Sequence, residues 1–127
     1  MEVLENNPEE LKSIEDMTMR EKCIALSYLL GRYMQFVLAD KRQTAATLVQ
    51  DMVVYVSEVF PRFIAVYDDP RMEEYAQDRE YWAMQIGRIT EALSEEDVFH
   101  QIDVLFFETR ANLLEILTIL EEKGIEL

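Results

Sequence analysis

The chain has 127 residues, half of them apolar and 30% charged, with three Gly, three Pro and a formal charge of −14. That length suits one compact domain with its own core, and the composition suits a folded helical chain and not a disordered one. Such acidity argues against direct binding to phosphate backbones or anionic headgroups, and it favours basic partners.

The charge is unevenly spread. Residues 1–17 carry six acids and one base, residues 18–66 four acids and six bases, and residues 67–127 sixteen acids and five bases. The opening MEVLENNPEEL lacks the cationic flank and apolar stretch of a secretory signal. The longest apolar runs, Met52 to Val56 and Phe63 to Tyr67, have five residues each, against the ~18–20 needed to span a bilayer. A soluble, cytoplasmic protein is therefore expected. Cys23, the single cysteine, has no partner for an internal disulfide, which fits a reducing compartment.

In chain order, Asn7-Pro8-Glu9-Glu10 combines an N-cap, a proline at the first helical position and early acids, predicting a short helix over about 8–17. Thr18-Met19-Arg20-Glu21 has the spacing of a capping box and opens the first long helix, about 19–39. Its apolar set, Met19, Cys23, Leu26, Leu30, Met34 and Val37, steps by threes and fours and so lies on one face. Asp40 is read as the cap of a second helix, about 41–67, with the stripe Ala45, Val49, Met52, Val56, Val59, Phe63 and Val66. Pro61 points away from that stripe, predicting a kinked continuous helix with the proline outside. The run MVVYV is rich in β-branched residues, but strand alternation does not carry the spacing from Ala45 to Val66.

Asp69-Pro70 repeats the cap-and-proline signal for a third helix, about 70–93, with the seam Met72, Tyr75, Arg79, Trp82, Ile86, Ile89 and Leu93. Arg79 falls in that seam. Its stem can run along the apolar side chains while its guanidinium stacks on a ring or meets a carboxylate; the alternative is a polar site that clasps an anion between helices. Ser94-Glu95-Glu96-Asp97 is read as the cap of a fourth helix, about 95–123. Lys123-Gly124-Ile125 closes it, with Gly124 free to turn left-handed and Ile125 folding onto Leu120. Short connections between amphipathic helices predict an all-α fold: an up-down-up-down four-helix bundle with a short extra N-terminal helix.

The only histidine, His100, lies among Glu96, Asp97 and Asp103. Di-metal carboxylate bundles use two Glu-x-x-His pairs, and one histidine cannot supply both. Glu96, His100 and Asp103 on one side of a helix form at most a weak divalent site, and the acids already have a reason to occupy a first helical turn. No glycine-rich phosphate loop, GxSxG elbow or HExxH pair is present in the sequence. No metal, cofactor or catalytic residue is assigned, and the expectation is a protein that is not an enzyme. The seven methionines read as adaptable core filling and Cys23 as an inert buried thiol.

The fourth helix carries a second apolar strip. His100, Val104, Phe107, Ala111, Leu114 and Thr118 step by threes and fours, roughly opposite the main stripe of Val98, Ile102, Leu105, Thr109, Leu113, Ile116 and Leu120. Either the N-terminal helix, with Leu4, Leu11 and Ile14, covers this strip, or another chain does. Val104, Phe107, Ala111, Leu114 and Thr118 are thus the candidate interface. The expected role is a protein–protein interaction module that self-associates as a homodimer, or a chaperone for an amphipathic client segment. A basic partner would be steered by the rim carboxylates.

Overall fold

Thr18 begins the first long helix as its neighbours predict. Its Oγ1 accepts a hydrogen bond from the Glu21 amide at 3.1 Å, and Glu21 Oε1 accepts one from the Thr18 amide at 2.8 Å, so both halves of the capping box form. The computed structural model describes residues 13–127, and over them the chain is an all-α bundle with no strand. Before Thr18 the described backbone is a 3₁₀ turn, Ile14–Asp16. The rest of the N-terminal helix predicted over about 8–17, with Leu4 and Leu11, lies outside the described residues.

Helix α1 spans Met19–Leu38, and all six residues of its predicted stripe are buried. Asp40 does not cap the next helix. With φ at 62° it takes the left-handed position just past α1, where the Lys41 amide reaches the Phe36 carbonyl at 2.8 Å and the Asp40 amide reaches Val37 at 3.0 Å. This is a Schellman closure, and Asp tolerates left-handed backbone better than most side chains. The second stretch starts as the single turn α2 (Arg42–Ala46) and continues as α3 (Val49–Ala65), ending in a 3₁₀ turn at Val66–Asp68. Pro61 sits exposed within α3, on the outer side, and the MVVYV run is helical.

Asp69 accepts the Arg71 amide at 2.8 Å and opens the third stretch. The first nine residues, Pro70–Asp78, form a 3₁₀ helix, longer than the usual three or four, before α4 (Arg79–Leu93) begins. That segment is tied to the end of the last helix. Arg71 Nη1 donates to the carbonyls of Gly124 at 3.1 Å and Lys123 at 3.4 Å, Tyr75 donates to Glu122 at 2.7 Å, and Lys123 meets Glu74.

The fourth stretch begins later than the sequence predicts. Ser94 ends α4, its hydroxyl donating to the Glu91 carbonyl, and Asp97 is the N-cap, accepting from the Phe99 and His100 amides. One turn, α5 (Val98–Gln101), leads into a π-helical segment, Ile102–Glu108, and then α6 (Thr109–Lys123). Gly124, with φ at 67°, closes α6, and the Ile125 amide bonds to the Leu120 carbonyl at 2.9 Å. α1 packs against α3 on one side and against the π segment and α6 on the other, while α4 packs against α3 and the π segment. Phe60, Phe63 and Trp82 fill the middle, with Phe63 and Trp82 edge to face at 5.1 Å.

Candidate functional site

The π segment is the main irregularity of the fourth stretch, and it decides which side chains reach the surface. The Val104 carbonyl receives both the Thr109 amide, five residues on, and the Thr109 hydroxyl at 2.6 Å. Bonds of this span put more residues in a turn than an α-helix holds, so the angular placement projected through the segment slips. Val104, placed by the sequence on the outer strip, is turned into the core at 1% exposure, beside Leu105. The other candidate interface residues stay outside: Phe107 is 61% and Leu114 68% exposed, and Ala111 and Thr118 are exposed as well.

A groove of about 560 Å³ opens beside Phe107, between α1 and the π segment. Tyr28 and Leu38 from α1, and Ile102, Phe106 and Phe107 from the π segment, supply its apolar lining. Gly31 leaves open space in its wall, since a Cβ there meets nothing within 4 Å. Tyr28 and Leu38 are 65% and 63% exposed. The α1 side was readable but missed: Ile24, Tyr28, Gly31, Gln35 and Leu38 step by 4, 3, 4 and 3 along a strip about a third of a turn round from the core stripe.

Two arginines stand at this groove. The Arg32 guanidinium lies 4.9 Å from the Phe36 ring centre, and that of Arg110 lies 4.6 Å from the Phe106 ring centre while its Nε donates to Ser27 Oγ at 2.9 Å. Stacking on a ring face holds a guanidinium in place and leaves its N–H edge available. No carboxylate among the described residues pairs with either one.

The polar candidates are elsewhere. Arg79 is not in the core: its Nη1 pairs with Asp68 at 3.2 Å on the surface, because the 3₁₀ turns before it advance by fewer residues than the α period assumes. Glu96 precedes the fourth helical stretch, so the single helical face proposed for Glu96, His100 and Asp103 does not form, and His100 is exposed. Among the described residues no group of three or more His, Cys, Asp or Glu converges as a ligand set. Burial pushes the Cys23 thiol up to about 12, which keeps it protonated and a poor nucleophile. No helix among the described residues is long and apolar enough to cross a membrane. Comparison of the chain with family models, with curated proteins and with solved structures finds no match.

Proposed function

We propose that this chain is a non-enzymatic, cytoplasmic protein–protein interaction module that works through the face shared by α1 and the outer side of the last helix. The observation that carries the reading is the apolar groove bordered by the exposed side chains of Tyr28, Leu38 and Phe107. Large contiguous apolar surface on a polar protein marks a binding site, since leaving it in water is unfavourable by roughly 25 cal/mol for each Å². A concave apolar groove between two helices suits the apolar side of a third helix, with anchors at spacings of three, four and seven residues. This favours an amphipathic segment of another protein, the client form of the reading. Self-association is the second form, supported by Leu114, Ala111 and Thr118, which lie outside the groove on the outer side of α6.

The test compares the wild-type chain with Phe107→Glu and Gly31→Phe in sedimentation and in titrations with amphipathic helical peptides. Phe107 is exposed and Gly31 faces open space, so both variants should keep the helical signal of the wild type. Loss of peptide binding in both variants supports the client form, and loss of a dimer in Phe107→Glu supports self-association. A wild-type chain that stays monomeric at high concentration and binds no such peptide refutes it.

A further inference from the structure

We infer that the groove between α1 and the π segment takes an amphipathic helix of another protein whose apolar side is flanked by Asp or Glu, with Arg32 and Arg110 as its charge clamps. The inference rests on the interaction reading above and adds the charge of the partner. Among the described residues eleven line the groove, and the only charged ones are these two arginines. In a chain of 26 acids and 12 bases that is the reverse of its composition. Lys22, Arg62, Arg71, Arg79, Arg88 and Lys123 each meet a carboxylate of the chain itself, and Arg20, Lys41 and Arg42, which meet none among the described residues, do not line this groove. Arg32 and Arg110 are instead held by phenyl rings and, for Arg110, by Ser27.

A guanidinium held over a ring keeps N–H groups free for a carboxylate, the whole fork for Arg32 and the Nη groups for Arg110, whose Nε already donates to Ser27, so two such groups at one apolar groove select a ligand with anions beside its apolar surface. On α1 the lining runs from Ser27 to Leu38, which at 1.5 Å per residue is about 16 Å, or three turns of a bound helix. A second copy is the poorer occupant. A two-fold contact pairs the same patch with itself and so sets these arginines against their own kind. Long-range repulsion from the net −14 charge is screened beyond about 8 Å at physiological salt, so contacts at the groove decide the preference.

The experiment titrates the full chain with two synthetic amphipathic helices that share one leucine face, flanked by glutamate in the first and by lysine in the second, followed by fluorescence anisotropy. The glutamate peptide should bind at least roughly tenfold tighter, a difference of about 1.4 kcal/mol, and the preference should shrink at high salt. In the double variant Arg32→Glu with Arg110→Glu the preference should invert; both positions are exposed, and circular dichroism checks that the bundle persists. Equal affinity for the two peptides, or an unchanged preference in the double variant, overturns the inference while leaving the interaction reading intact. Self-association that competes with peptide assigns the groove to a second copy, and displacement by a synthetic copy of residues 1–12 assigns it to the chain itself; either result overturns the inference. Binding of neither peptide by a chain that also fails to self-associate removes both readings.

Discussion

Lys22 Nζ lies 3.0 Å from Glu58 Oε1, and the lysine is only 3% exposed although it stands on the first long helix among the core side chains. A buried ammonium without an anion keeps its desolvation penalty and loses the compensating attraction, whereas an apolar replacement of similar shape loses little. Glu58→Gln should therefore lower the thermal midpoint by several degrees at neutral pH. Lys22→Met in that background should recover most of the loss. Thermal unfolding of the single and double variants checks this, and a double variant no more stable than Glu58→Gln would contradict it.

Acid should weaken the bundle through two paired carboxylates. Hydrogen bonding from Lys22 holds Glu58 below the ordinary carboxylate value, and the Arg71 side chain and backbone amide hold Asp69 down to about 2 from 3.8. Both groups bind protons less readily in the folded chain, so their stabilisation is complete above the ordinary values and is lost as the pH falls through the folded ones. For Asp69 that window runs from about pH 4 to 2. Asp69→Asn should flatten the fall of thermal midpoint with pH in that range. An unaltered slope would mean that the pair with Arg71 does not hold in solution.

The first two stretches were legible in the sequence: every predicted core residue of α1 is buried, and the stripe from Ala45 to Val66 is buried or nearly so although the helix is interrupted by a turn between α2 and α3. Projection failed where the number of residues per turn changes. The 3₁₀ residues Pro70–Asp78 carry Arg79 out to Asp68, and the π residues Ile102–Glu108 carry Val104 inward. Asp40 and Ser94 misled for another reason: small polar side chains serve helix starts and helix ends alike, and local sequence does not choose between them. The outer strip of Phe107, Ala111, Leu114 and Thr118 was readable from spacing. The groove was not, because its walls come from α1 and from residues more than sixty positions later in the chain.

The π segment depends on Thr109. Its side chain is fully buried, and its hydroxyl adds a second hydrogen bond to the Val104 carbonyl that already takes the Thr109 amide. Valine has nearly the same shape without the hydroxyl, so Thr109→Val isolates that bond. A loss of about 1 kcal/mol in urea unfolding is expected, the usual net contribution of one such bond. Amide exchange around Phe106 and Phe107 should also quicken, since the turn that presents them is less firmly held. A variant as stable as the wild type would show that the hydroxyl is not what holds the π turn.

Gly31 stands in the interior of α1, where glycine is unfavourable relative to alanine by roughly 0.5–1 kcal/mol because the unfolded chain has more freedom to lose. Packing does not demand it: an added Cβ meets nothing within 4 Å, and the backbone does not take a left-handed conformation there. Gly31→Ala should therefore stabilise the chain by about 0.5–1 kcal/mol. The position borders the groove, so the same methyl group occupies space that a docked helix would use, and larger side chains occupy more of it. Affinity for the glutamate-flanked peptide should then fall in the order Gly31, Ala, Leu, Phe while the thermal midpoint of the free chain stays at or above that of the wild type. Stability gained as binding is lost is the pattern expected where a residue is retained for function. If affinity were indifferent to side-chain size at this position, the ligand would lie elsewhere.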